Sequence, residues 1–347
     1  MKILMIENIA NVSFNLVKRL RERGFDAILL TRNNPKAGKL DLTNVYKYDW
    51  IYKFDCENLY DKTFRYLFNV LRFKTDIVHS HYALEQGFYG VVSKWLHTSK
   101  KLIVHCHGTD VRETLRTLKY GWIVRFSLRN ADRVFVSTPD LLLEGYNMRY
   151  LPNPVDLEVF KPSEPKVDLH QGHEIAVFHP SRIVWRHKGT DKCIYALKRL
   201  VEEGYDIFLT LVEYGPDLMK TKRLVYSLNL SGHVQFIQPL NQYEMVNHYN
   251  SCDIVWAQFG VGHLGLVALE SLACDKPTLV DFRYPEHYAE QPPVFHANST
   301  SEVVEETRSI IELKIKKVSG RFWVERFHSY PAILSVLTNT YMSLIRK

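Results

Sequence analysis

Short apolar runs alternate with amphipathic stretches along nearly the whole chain. In the first half, runs at 3–6, 27–30, 76–79, 102–105 and 133–136 have the length and the β-branched content of buried strands. Between the first two lies Asn15-Leu-Val-Lys-Arg-Leu-Arg-Glu-Arg-Gly24, with Leu16, Val17 and Leu20 at helical spacing and Gly24 placed as a C-terminal cap. The second half repeats the pattern. Strands are expected at 175–179, 207–212, 234–237, 254–257 and 278–280, with helices over 192–203, 218–228, 243–249 and 265–273. Strands that alternate with helices argue for parallel sheets covered on both faces. The polar stretch 162–172 holds two prolines and suits a linker. The expectation is an α/β protein of two doubly wound, Rossmann-like domains facing each other across a cleft. The first spans 1–165 and the second 166–324. Ligands of such sheets sit beyond the carboxyl ends of the strands. Apolar residues at helical spacing recur from Phe322 to Ile345, where Pro331 should break or kink a closing helix.

Composition adds little to that picture except limits. The chain has 347 residues, 46% apolar and 13% aromatic, enough to fill two packed cores. No run of 18 uncharged apolar residues is present, so no membrane-spanning helix is expected. The start, Met1-Lys-Ile-Leu-Met-Ile, reads as a strand and not as a signal peptide. Five scattered cysteines (56, 106, 193, 252, 274) without a Cys-x-x-Cys fit a reducing cytoplasm.

Charge changes the picture more. Residues 1–165 carry 25 Lys and Arg against 18 Asp and Glu, whereas 166–347 carry 20 of each, so the whole excess of +7 sits in the first half. Two segments there, 59–74 and 112–133, mix cations with aromatics. The second has six cations against two acids. That mixture suits an anionic membrane surface and a peripheral location on it; it equally suits ordinary amphipathic helices packed on a sheet. Nucleic acid would rest on charge alone and is not expected as a partner.

The chemistry concentrates in a few strand ends. Gly265-Leu266-Val267-Ala-Leu-Glu270-Ser-Leu-Ala-Cys-Asp-Lys-Pro277 places a glycine turn before an apolar helix that carries a lone carboxylate. Free backbone N–H groups at that helix start form an anion site, and Glu270 is costly to bury unless it is bonded. A phosphate on the turn and hydroxyls on Glu270 would use both, which is what a nucleotide-sugar offers. Ser181-Arg182-Ile-Val-Trp-Arg-His-Lys188-Gly189 puts two cations across one loop, suited to a pyrophosphate. His105-Cys-His107-Gly108-Thr109-Asp110 places an imidazole at a strand end. It faces a ligand there, or it opens a helix capped by Thr109 or Asp110. His79 and His81 share one face of a strand, and no third ligand at metal spacing follows; structural hydrogen bonds are expected for them. Asn153, Asp156 and the Glu213-Tyr-Gly215-Pro-Asp217 turn are expected to shape the chain.

These motifs resemble those of family 4 retaining glycosyltransferases of the GT-B fold, over nearly the whole chain. Arg182-x5-Lys188-Gly189, His107-Gly-x-Asp110 and Glu270 match the family pattern. The resemblance implies transfer of a sugar from a UDP- or GDP-sugar to an acceptor hydroxyl with retention. In it Arg182 and Lys188 hold the pyrophosphate. Gly262, His263, Gly265, Leu266, Val267 and Glu270 line the donor, and Pro239 and Leu240 meet the base. His107 contacts the sugar, and Asp110 supports His107 or the acceptor. The acceptor would be a glycan, a lipid-linked sugar or a small molecule. No metal or other cofactor is implied. The last helix, about 325–347, would return to the first domain, with Trp323 at its start. Two departures stand out. Asn8-Ile-Ala-Asn-Val-Ser13 replaces a glycine pair, and Gly262 replaces the first acid of the Glu-x7-Glu signature. Either His263 takes over part of that acid's work, or a different sugar is held, or the chain is a catalytically weakened binder. A nucleotide-sugar epimerase of the same fold is the further alternative.

Overall fold

The computed structural model describes residues 1–55 and 59–346, without the side chains of 59–62. Cys56 lies outside the described residues, as does Lys347 at the end of the expected closing helix. The chain divides into two compact units, Met1–Pro154 with Tyr330–Lys347, and Val155–Ser329.

The first unit is built on seven parallel strands: β1 (Lys2–Ile6), β2 (Asp26–Arg32), β3 (Ile51–Phe54), β4 (Thr75–His81), β5 (Ser99–Cys106), β6 (Arg133–Val136) and β7 (Met148–Tyr150). Their order is β3-β2-β1-β4-β5-β6-β7. Alternation along β1 feeds both faces of the sheet. Ile3 and Met5 pack with Leu16 and Leu20 of the helix Val12–Glu22 and with Leu334 and Leu337 near the end of the chain. Leu4 and Ile6 pack toward Tyr66, Val91 and Val124 of the helices Leu59–Leu71, Glu85–Trp95 and Gly121–Asn130. Each such side chain, fully buried, contributes on the order of 1.5–3 kcal/mol.

The second unit has six parallel strands: β8 (Ile175–His179), β9 (Ile207–Val212), β10 (Val234–Ile237), β11 (Ile254–Gln258), β12 (Thr278–Val280) and β13 (Phe295–His296), in the order β10-β9-β8-β11-β12-β13. Val177, Leu209 and Trp256 pack on one side with Ile194, Leu197 and Val304, while Phe178, Val255 and Ala257 pack on the other with Leu269, Leu272 and Trp323. Both sheets are of the doubly wound, Rossmann-like kind.

The division falls before the proline-bearing stretch, at Pro154 and not at 165. Val155 and Phe160 already belong to the core that contains Ala176 and Trp323, and the Ser163 N–H donates to Asn250 Oδ1 at 2.9 Å. The end of the chain also differs from expectation. It forms two helices, Gly320–His328 and Tyr330–Ile345, separated by Ser329 in an extended conformation. Pro331 is tolerated because it stands in the first turn of the second helix, where its missing N–H costs no intrahelical bond. Trp323 therefore belongs to the second unit, 1% exposed, with Nε1 donating to the Glu290 carbonyl at 2.9 Å. Only the helix from Tyr330 joins the first unit.

Candidate functional site

In the second unit, the loop after β8 is held from below. Ser181 Oγ donates to the Ala257 carbonyl at 2.5 Å, and the Ile183 N–H to the Tyr214 carbonyl at 2.8 Å. The Trp185 N–H donates to Asp217 Oδ2 at 3.0 Å. Gly215, at φ +134°, lets the turn close on this loop; a Cβ there would stand 2.3 Å from the Ile183 carbonyl oxygen. The 213–217 turn thus positions the cationic loop, a role its sequence alone did not reveal. Arg182 points out exposed, near Tyr214. The Tyr214 phenol is pushed up by burial, Arg182 opposing and Glu270 adding, so these three groups share one field.

Lys188 leads to the next part. Its ammonium donates to Gln258 Oε1 at the end of β11, and Gln258 Nε2 donates to the His263 carbonyl. Gly265 packs on the same amide: a Cβ there would stand 3.3 Å from Gln258 Oε1. Gln258, 2% exposed, therefore ties the cation to the glycine turn. It was missed because an apolar strand end gives no sign of a polar junction. Gly265 caps the helix Leu266–Ala273 in extended conformation with no side chain bonding its first N–H groups. Those amides remain available to an anion. Leu266 and Val267, the first two residues of this helix, are half-buried.

Glu270 lies half-buried in the second turn. Desolvation pushes its carboxyl up to about 8, opposed by the hydrogen bond from the Tyr249 hydroxyl at 3.0 Å. A hydroxyl-rich ligand would replace the water this carboxylate lacks. Gly262 stands at φ +75° and faces Arg283: a Cβ at 262 would lie 2.5 Å from Arg283 Nε. His263 is 6% exposed, with its carbonyl and ring turned to Gln258. Pro239 and Leu240 are half-buried in the segment after β10.

In the first unit the strand ends carry imidazoles. His79 and His81 of β4 stack at 4.7 Å between ring centroids, and His105 and His107 at 4.6 Å. Parallel pairing sets His81 directly opposite His105. His79 Nδ1 lies 2.7 Å from the Tyr341 hydroxyl, and His81 Nδ1 lies 2.8 Å from His107 Nε2. A third imidazole thus does join His79 and His81, from the neighbouring strand and not from nearby sequence; ring nitrogens of His79, His81 and His105 lie within 4.8 Å of one another. The rings of His79 with His81 and of His79 with His105 are within 18° and 15° of parallel, so their in-plane lone pairs do not aim at one point. Burial holds all four neutral. It presses His105 down to about 4, and His79, His81 and His107 further below the usual range with help from their neighbours.

Asp110 is 2% exposed and spent on backbone. Oδ1 accepts from the N–H groups of His107, Gly108 and Val111 at 3.2, 3.0 and 3.1 Å, and Oδ2 accepts from Ala83 N–H at 3.0 Å. It locks the loop that bears His107 and is a positioning residue. The Asn8–Ser13 segment keeps a glycine-like path without glycine: Glu7, Ala10 and Asn11 have φ of 75°, 46° and 61°. Asn8 Oδ1 accepts from Phe14 N–H at 3.1 Å, and Asn11 Oδ1 from Leu42 N–H at 2.9 Å, which offsets the strain. Glu7 itself is buried and accepts from Arg32 Nε at 3.0 Å and the Tyr66 hydroxyl at 2.6 Å.

The described helices include none long and apolar enough to cross a membrane. Comparison with known proteins gives the family. Residues 160–288 match the model for glycosyl transferases group 1, and residues 9–159 match that for glycosyltransferase family 4. An uncharacterized glycosyltransferase of Methanocaldococcus jannaschii is 24% identical over 274 residues, 76% of this chain and 72% of that protein. Among solved structures, sucrose-phosphate synthase of Thermosynechococcus elongatus superposes with a TM-score of 0.77 at 15% identity over 100% of both chains. An Anabaena protein solved in complex with UDP gives 0.74 at 15% identity, over 99% of this chain and 100% of that one. These neighbours share the two-domain GT-B fold. The two family matches adjoin and together run from residue 9 to residue 288, so this chain belongs to the group 1, family 4 glycosyltransferases.

Proposed function

We propose that this protein transfers a hexose-type sugar from a nucleotide-sugar to an acceptor hydroxyl with retention, and that the second unit holds the donor. The observation that carries the reading is the junction at Gln258. It brings the Lys188 ammonium to the same residue that supports Gly265 and its uncapped helix start. A diphosphate there meets a cation and free amides together, which stabilises the charge that develops on the leaving group. Arg182 adds a bidentate fork from the exposed loop, and Glu270 takes the ribose hydroxyls. The UDP in the Anabaena neighbour supports the choice of a nucleotide ligand. In the retaining scheme the leaving phosphate accepts the acceptor's proton, so no side-chain base and no metal is assigned. His107, neutral and anchored by His81, is assigned to the sugar.

The acceptor is proposed to be membrane-associated. The three helices Leu59–Leu71, Glu85–Trp95 and Gly121–Asn130 cover one face of the first sheet. Their outer sides expose Phe64 (73%), Phe68 (61%), Trp95 (58%) and Trp122 (54%), with Arg65, Lys119 and Arg129 exposed on the same helices or just before them. Cations and aromatics together fit an anionic headgroup layer.

Isothermal titration with UDP and GDP tests the donor half. Binding of one of them that is lost in Lys188→Ala is expected; binding unaffected by that change would refute the assignment. Sedimentation with phosphatidylserine vesicles at low salt tests the other half. Retention by the vesicles that weakens in Phe64→Ser/Trp122→Ser is expected, and no retention would remove the membrane acceptor.

A further inference from the structure

Position 262 is where the chain departs from the family's acidic signature, and the space there is filled by a cation. Gly262 lies in the loop that runs from Gln258 to Gly265, beside the proposed diphosphate site. An ideal Cβ at 262 would stand 2.5 Å from Arg283 Nε, 3.0 Å from its Cζ and 3.1 Å from its Nη2. The Arg283 N–H donates to the Gly262 carbonyl at 2.9 Å, which fixes the two segments against each other. One edge of the guanidinium is clamped: Nε donates to Asp281 Oδ1 at 2.9 Å and Nη2 to Oδ2 at 2.8 Å. Asp281 is 1% exposed, so the clamp is rigid, whereas the Arg283 side chain is 54% exposed. A guanidinium has five N–H donors, and the clamp uses two. Among the described residues no other acceptor bonds this guanidinium, and its remaining N–H groups belong to a side chain that is largely exposed.

Such an edge complements an oxyanion pair far better than a row of hydroxyls, which needs acceptors as well as donors. The diphosphate already has Lys188, Arg182 and the helix start. We propose that Arg283 binds a carboxylate on the transferred sugar, so that the preferred donor is a nucleotide-linked uronic acid. This rests on the donor site proposed above and names its substrate class. A uronate differs from its parent hexose only in carrying a carboxylate in place of the C6 hydroxymethyl group, so the pair isolates the contact. The same geometry explains why glycine is needed at 262: any side chain would displace the fork, and the left-handed φ disfavours it as well.

The test titrates the full chain with UDP, UDP-glucose and UDP-glucuronate, and with GDP, GDP-mannose and GDP-mannuronate. Wild type is compared with Arg283→Gln, with Arg283→Gln/Asp281→Asn and with Lys188→Ala. The double variant guards against misfolding, since it also removes the buried carboxylate left unpaired. The expected result is a preference of at least about tenfold for the uronate over the hexose. It should collapse to near unity in both Arg283 variants while affinity for the bare diphosphate stays unchanged. Equal affinity for uronate and hexose in the wild type would overturn the inference. So would an equal loss of bare diphosphate binding in the Arg283 variants, which would make Arg283 a fourth diphosphate group. Absence of any nucleotide binding, with Lys188→Ala no different from wild type, would overturn the donor site itself and this inference with it.

Discussion

The two sheets share a topology and differ in what their strand ends carry. Each has its first strand flanked on both sides, β1 by β2 and β4, β8 by β9 and β11. At and just after the ends of β4 and β5 the first sheet carries four neutral imidazoles and a carboxylate spent on backbone N–H groups. Beyond β8 and β11 the second ends in cations, open amides and one desolvated carboxyl. The lesson is that one scaffold serves two ends: buried strand-borne imidazoles fill the first, while a cationic loop, a strand-end amide and an open helix start make the second anion-seeking. The two ends should also respond to acid and base in opposite directions.

Four experiments sharpen or break that contrast. The largest effect is expected from Gly215→Val. It places a side chain at φ +134° against the Ile183 carbonyl, and about 3–4 kcal/mol of stability should be lost in urea unfolding. A silent change would mean that the cationic loop is not held by this turn.

Next comes acid. A histidine whose folded pKa lies below the unfolded value of about 6.5 stabilises fully above pH 6.5, and that stability is lost as pH falls toward the folded value. For His105, with a folded value of about 4, the loss is about 3 kcal/mol between pH 6.5 and 4. His105→Phe should flatten that part of the stability curve. A curve of unchanged slope would show that the imidazoles are not held neutral.

Third, Lys188→Ala should weaken nucleoside diphosphate binding about 100-fold, near 2.7 kcal/mol. His107→Ala should leave that affinity within about twofold while lowering turnover. Equal losses in the two variants would erase the division of labour between the units.

The smallest effect has the opposite sign with pH. Glu270 has a folded value raised to about 8 against an unfolded value near 4.5. Its contribution is therefore intact below pH 4.5 and lost as pH rises through 8. Because the residue is only half-buried, solvent screens about half of this effect. Glu270→Gln should then exceed wild type by about 2 kcal/mol above pH 8 and match it near pH 4.

Much of the fold was legible because period and length carried it. The strands β6, β8, β9, β10 and β12 begin and end where their apolar runs do. Three short strands, β3, β7 and β13, were not legible. A lysine interrupts β3 (Ile-Tyr-Lys-Phe), an arginine interrupts β7 (Met-Arg-Tyr), and β13 has only Phe-His, so none shows an apolar run, and pairing with a neighbouring strand makes them strands. The two closing helices were read as one because Ser329 is no sequence breaker, and the effect of Pro331 depends on which turn it falls in. Of the candidate site, the groups with a chemical signature were legible: Arg182, Lys188, Gly265, Glu270 and His107. Their supports were not. Gln258 and Arg283 act through contacts with Lys188 and Gly262, in segments that sequence leaves apart, and His105 meets His81 only through strand pairing. The absence at Gly262 was visible in the sequence, and the cation that fills its place was not.

The most direct test of the account is donor turnover. The protein would be incubated with the UDP- and GDP-sugar panel, with and without detergent-solubilised lipids, while nucleoside diphosphate release is followed. The account predicts release with at least one donor, abolished in Lys188→Ala and in Glu270→Ala. Release that survives both substitutions, or tight donor binding with no release under any acceptor condition, would contradict it.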